Sequence, residues 1–122
     1  MATSHRELVV WQKAMQLAVE VYRLAKLMPK TEEYRLTSQM LRAAASVPAN
    51  VAEGNSRGTR RDYAHFISIA RGSLAETETF LLLATSVSLL PGPETEKALQ
   101  LCDEVGRMLN SLHSRLREAP SP

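Results

Sequence analysis

A chain of 122 residues, 44% hydrophobic and 23% charged, has the length and composition of one folded domain. It can bury about two-thirds of its unfolded surface, and its profile excludes a disordered, apolar-poor chain. A formal charge of only +2 gives no strong global field, so affinity for nucleic acid or an anionic membrane would have to come from local clustering.

From Leu8 the apolar residues fall on two interleaved seams. One runs through Leu8, Trp11, Met15, Ala18, Tyr22 and Ala25, the other through Val10, Ala14, Leu17, Val21, Leu24 and Met28. Steps of three and four give a helical period, with Gln12, Gln16, Glu20 and Arg23 on the wet face between the seams. The first helix is thus predicted over about 7–28, ending at Pro29. Thr31 followed by Glu32 and Glu33 reads as an N-cap with acidic residues at the positive end of a second helix, about 32–54. Leu36, Met40, Ala43, Val47 and Val51 have core spacing there, and Gly54 is expected to close the helix in the left-handed conformation. Thr59-Arg60-Arg61-Asp62 fits a capping box that opens a third helix, about 60–90. Pro91-Gly92-Pro93 forces a turn before a fourth, about 95–117, with Ala98, Cys102, Val105, Leu109, Leu112 and Leu116 inward, and residues 118–122 form a frayed tail.

Four helices with short connections predict one all-α domain over 1–122, an antiparallel up-down-up-down bundle. Pro48 lies inside the second helix, where a missing donor and a steric clash cost about 3 kcal/mol unless the helix bends, so a kink is expected there. Asn50 and Glu53, one turn apart, are placed to satisfy groups freed by that kink or to bond into the loop from Gly54 to Gly58. Glu76 falls in a seam with Phe66, Ile69, Phe80 and Leu83 and is a second candidate for a buried carboxylate. Structural roles are expected for Pro48, Asn50, Glu53, Gly54 and Glu76; a catalytic site built on Asn50, Glu53 and Glu76 is the enzymatic alternative.

Metal chemistry finds little support, since a di-iron bundle needs Glu-x-x-His motifs and none occurs. His5, His65 and His113 are scattered, and Cys102, the single cysteine, falls on an apolar seam and cannot build a disulfide or a cysteine cage. The Gly54 to Gly58 loop lacks the Gly-Lys-Ser/Thr ending of a phosphate loop, so no cofactor is expected. The N-terminal segment has no apolar signal core and the longest apolar run, Phe80 to Ala84, is far too short for a membrane span, which predicts a cytoplasmic protein without a membrane partner.

Arg57, Arg60 and Arg61 stand at the start of the third helix, where free amides and the helix dipole add to their charge. They read either as a phosphate-binding edge or as a solvated loop paired with neighbouring acids. The first helix offers about four apolar positions per heptad where a bundle helix needs about three, so one seam should face another subunit. The expected interface residues are Val10, Leu17, Val21 and Leu24.

The stretch Ser46-Val47-Pro48-Ala49-Asn50-Val51-Ala52-Glu53-Gly54, with Leu8 to Ala14 upstream, Tyr34 to Met40 between, and Ala70-Arg71-Gly72-Ser73-Leu74-Ala75-Glu76 downstream, resembles the bacterial four helix bundle protein family. That family is also called the 23S rRNA-intervening-sequence protein family. The resemblance covers roughly residues 7–90 and is weaker in the fourth helix. It implies a cytosolic homopentamer without an established enzymatic activity, from a family noticed in sequences inserted in large-subunit rRNA genes. The family is similar to the accessory protein of diversity-generating retroelements, a pentameric barrel that binds nucleic acid and a reverse transcriptase. The function expected is therefore a non-enzymatic, self-associating scaffold with RNA or DNA as the leading partner; the alternatives are an adaptor that binds only another protein, or the enzyme described above.

Overall fold

The computed structural model describes residues 4–118 and contains four α-helices: α1 (Val9–Ala25), α2 (Leu36–Asn55), α3 (Arg60–Ser86) and α4 (Gly92–Arg117). Short 3-10 turns at His5–Glu7 and Lys30–Glu32 precede α1 and α2. Each helix packs on its neighbours in the cycle α1, α2, α3, α4 and back to α1, most extensively α2 on α3. This is the expected four-helix bundle. The core is the one the helical period predicts, with Leu17, Val21, Leu24, Met40, Val47, Val51, Ile67, Leu81, Val105 and Leu109 all fully buried.

The helix ends depart from the sequence reading for local reasons. The 3-10 turn after Pro29 delays α2, and Glu32 rather than Thr31 meets its first free amide, its Oε1 accepting from the Leu36 N–H at 3.4 Å. The Thr59 cap holds: its hydroxyl accepts from the Asp62 N–H at 3.1 Å. At the far end α3 stops at Ser86, ahead of the Pro91 turn. Ser88 adopts a φ of 61°, Leu89 N–H reaches back to the Ala84 carbonyl at 2.8 Å and Ser88 N–H to Thr85 at 3.1 Å. Those are the two bonds of a Schellman ending, built here on serine instead of glycine. Pro91 then caps α4, whose Gly92 and Pro93 already lie in the first turn, where a missing proline N–H costs no helical bond. Only Glu118 of the expected tail is described, just beyond α4; residues 119–122 lie outside the described residues.

Gly54 does not close α2 in the left-handed region: no glycine of the described residues has a positive φ, and α2 runs on to Asn55 with Ser56 still right-handed. Its role is contact. A Cβ at residue 54 would stand 2.9 Å from Tyr63 Cδ1 and 3.1 Å from Phe66 Cβ, so the missing side chain lets α2 and α3 close tightly at this end. The helix passes through Pro48 without interruption.

Candidate nucleic-acid interface

The three loop arginines part company once the chain folds. The Arg57 guanidinium lies 4.6 Å from the centroid of the Phe66 ring, and its NH2 is 3.7 Å from Glu53 Oε1. Arg60 donates to the carbonyl of Arg115 in the last turn of α4, which also accepts from the Glu118 N–H at 3.3 Å. Arg61 alone turns to a groove between α3 and α4, about 460 Å³ in volume, shared with Ala64, His65, Ser68, His113, Leu116 and Arg117.

Steps of three and four along α3 set Arg61, His65, Ser68 and Arg71 in one stripe, and the same steps along α4 set Asn110, His113 and Arg117 opposite. Arg71 bridges the stripes: Nε donates to Asn110 Oδ1 at 2.9 Å and NH1 meets His113 Nδ1 at 3.2 Å. A guanidinium can only donate, so Nδ1 is the acceptor and the His113 ring is neutral with its proton on Nε2. Burial, then the charges of Arg71 and Arg117, hold His113 below the ordinary histidine range. Among the described residues no carboxylate lies within ion-pair distance of Arg61, Arg71 or Arg117. Farther along the same interface the sign changes, with Glu78 and an Arg107–Asp103 pair on its walls. Cys102, also there, has its thiol pushed up to about 12 by burial and then by Glu78, so it is protonated at neutral pH and behaves as core.

The polar motif of α2 is rearranged relative to expectation. Asn50 donates to the Ser46 carbonyl at 2.8 Å and to Ser46 Oγ at 2.9 Å, and Ser46 Oγ meets Ser73 Oγ at 2.9 Å. Asn50 therefore ties α2 to α3 through Ser46; the carbonyl that Pro48 frees is that of Ala44. Glu53 is exposed, paired with Arg57 and with the Ser56 hydroxyl at 3.2 Å, and Glu76 is exposed as well. Neither is a buried carboxylate. With Ser46 against Ser73 and Gly54 against Tyr63 and Phe66, Glu53 stands nearly level with His65, roughly 16 Å along the axis from Glu76 at about 1.5 Å per residue. The acid/base dyad does not assemble.

The carboxylate the fold does bury is Glu20, 7% exposed, which the sequence reading placed on the wet face. Arg23 Nε and NH2 donate to Glu20 Oε1 at 2.8 and 2.6 Å, while NH1 reaches Glu94 Oε2 at 3.0 Å, joining α1 to the first turn of α4. Among the described residues no group of three or more His, Cys, Asp or Glu side chains is placed to hold a metal, and no helix is long and apolar enough to cross a membrane.

The expected subunit interface is also corrected. Leu17, Val21 and Leu24 are fully buried and Val10 nearly so, all inside the chain's own core. Side chains spent on that core have no surface to offer a second subunit. The other seam is partly exposed, with Met15 at 39% and Tyr22 at 53%, while Ala18 is buried; between the seams Val19 is 64% exposed. With Trp11 and Ala18 they face Ala45, Pro48, Ala49 and Ala52 of α2 across an apolar groove of about 450 Å³. A second apolar strip lies on α3, where exposed Ile69, Leu83 and Val87 share a face with half-buried Phe66 and Phe80.

The family model described as 23S rRNA-intervening sequence protein matches residues 6–111. Among solved structures, a protein of unknown function from Bacteroides thetaiotaomicron, ascribed to the S23 ribosomal protein family, is similar to this chain with a TM-score of 0.80 and 26% identity, over 86% of this chain and 98% of that one. None of the curated proteins matches.

Proposed function

The chain belongs to the 23S rRNA-intervening sequence protein family, and from that premise we propose that it is a non-enzymatic, self-assembling helical scaffold that binds the backbone of RNA or DNA in the α3–α4 groove. The observation that carries this reading is the set Arg61, Arg71 and Arg117: Arg61 and Arg117 line the groove, Arg71 borders it through its bond to His113 while lining the neighbouring pocket with Glu78 and Asp103, and no carboxylate stands in ion-pair range of the three among the described residues. Charges left unneutralised along a concave stripe are what a polyphosphate needs, and the few exposed aromatic side chains leave little for base stacking. Contacts of this kind position a strand without reading its sequence.

Assembly supplies the affinity that a net charge of +2 does not. Two separate apolar surfaces, the α1–α2 groove and the α3 strip, support a head-to-tail contact in which one copy's strip enters the next copy's groove; such contacts form rings where the rotation between copies closes and open filaments where it does not. A pentamer, which the family resemblance implies, would repeat the basic groove around the assembly, and linked weak sites gain about 10²-fold or more in avidity when one strand spans them.

Fluorescence anisotropy with labelled single-stranded RNA and DNA over a salt series tests the reading. Affinity should fall steeply with salt, with a log–log slope of about 0.7 per phosphate neutralised on a single strand. Replacing Arg61, Arg71 and Arg117 together by glutamine should flatten that slope, with far-ultraviolet circular dichroism unchanged. A triple variant that binds with wild-type affinity and slope removes the groove as the site.

A further inference from the structure

His113 and Arg71 hold each other in a way that an arriving phosphate would have to undo. NH1 of Arg71 and Nδ1 of His113 are 3.2 Å apart, a bond that exists only while Nδ1 keeps its lone pair. A proton taken from solvent by Nδ1 breaks it and leaves two donors, the Arg71 N–H and a new imidazolium N–H, aimed at one space. Only an acceptor carrying several lone pairs satisfies both, and a phosphate or sulfate oxygen does so at the lip of a groove that already holds Arg117 and Arg61.

We infer that oxyanion binding in the α3–α4 groove is proton-coupled: His113 surrenders its bond to Arg71, takes up one proton at Nδ1, and becomes a cationic ligand beside Arg71 and Arg117. This deepens the reading of the groove as a phosphate-backbone site and rests on it. The groups facing His113 are Arg61, His65 and Arg71 from α3 and Asn110 and Arg117 on its own helix. On the opposite side of α4 the α1 residues are the apolar Leu8, Val9 and Val10, with Arg107 and Arg115 bordering that separate groove. Burial, then the charges of Arg71 and Arg117, disfavour the His113 imidazolium in the free protein, and no acid lines the pocket to offset them; an anion acts in the opposite direction. The sign follows: the bound state holds a proton that the free state lacks between the free and bound pKa values, so affinity rises as pH falls through that window.

The test has two arms on the full chain. In the first, the His113 ring is followed by nuclear magnetic resonance through a pH titration in sodium chloride and in sodium sulfate at matched ionic strength, sulfate being chosen because its own charge stays constant in this range. The His113 pKa should rise in sulfate; an unchanged His113 pKa overturns the inference. In the second, labelled oligouridylate is titrated at fixed salt between about pH 8 and pH 5.5, around the ordinary histidine value. Affinity should climb toward about tenfold per pH unit, the limit for one proton. His113→Gln, which can still accept from Arg71 and donate to phosphate but takes up no proton, should lose the slope, whereas His5→Gln, in the 3-10 turn before α1 and outside the groove lining, should retain it. A His113→Gln variant with the full slope overturns the inference. Absence of oligouridylate binding at every pH, with the sulfate effect intact, overturns the nucleic-acid reading and leaves the proton-coupled oxyanion site standing.

Discussion

Gly54 and Tyr63 meet so closely that a Cβ on the glycine would stand 2.9 Å from the ring atom Cδ1 and 3.2 Å from the Tyr63 carbonyl oxygen. Tyr63 is 2% exposed, so its ring has nowhere to retreat. Alanine at a helical glycine gains about 1 kcal/mol of propensity, but overpacking a filled contact costs about 1 to 3 kcal/mol, and here strain should win. Gly54→Ala should lower stability by about 1 to 2 kcal/mol in urea titration. Gly72, mid-helix with nothing within 4 Å of an added Cβ, should show the opposite sign, Gly72→Ala stabilising by about 0.5 to 1 kcal/mol. If both variants shift in the same direction, the contact at Gly54 does not set the spacing of α2 and α3.

Arg23 should matter more to stability than its half-exposed side chain suggests. It supplies both hydrogen bonds that Glu20 receives, and removing it leaves a carboxylate buried on α1 without a donor. Arg23→Ala is expected to destabilise the fold measurably, because the Glu20 carboxylate is left buried and unsatisfied. Glu53→Ala, which removes an exposed pair with Arg57 at 3.7 Å, should cost no more than about 0.5 kcal/mol. Urea denaturation of the two variants checks the order; equal losses would mean that Glu20 finds another donor.

The period of the apolar residues was enough to predict four helices and their inward seams, because burial in a bundle follows helical spacing closely. Three things lay beyond it. The exposure of Glu53, Glu76 and Val19 and the burial of Glu20 depend on which neighbour covers a given stripe, and a seam pattern on one helix does not contain that. Gly54 looks like any helix-ending glycine until the ring of Tyr63 is set against it, and Ser88 takes the left-handed position that sequence habits reserve for glycine. The basic groove was legible only at Arg61, in a visible run with Arg57 and Arg60. Arg71 and Arg117 carry no local signal, since α3 and α4 bring them to one face from distant parts of the chain; the recurrence of Arg61, His65, Ser68 and Arg71 at helical steps was the one trace available.

Self-assembly should depend on the outer face of α1 and not on the seam beneath it. Fully burying a side chain such as Val19 or Met15 contributes about 1.5 to 3 kcal/mol, while association costs at least about 4 kcal/mol in lost freedom. Met15, Val19 and Tyr22 together therefore exceed that cost only modestly, and a stable assembly needs the Ile69, Leu83 and Val87 strip of the neighbouring copy as well. Val19→Glu, at a position 64% exposed in the isolated chain, should leave helicity and melting behaviour of the subunit intact while converting the assembly to monomer. Leu83→Glu, on the α3 strip, should do the same. Mixing the two variants discriminates a head-to-tail contact from a symmetric one: each retains one undamaged surface, so the mixture should form a dimer across the single intact pair and stop there. Light scattering at about micromolar concentration reads all three outcomes. A wild-type chain that is monomeric under these conditions removes the self-assembly reading, and a Val19→Glu variant that assembles like wild type shows that the α1–α2 groove is not the surface that does it.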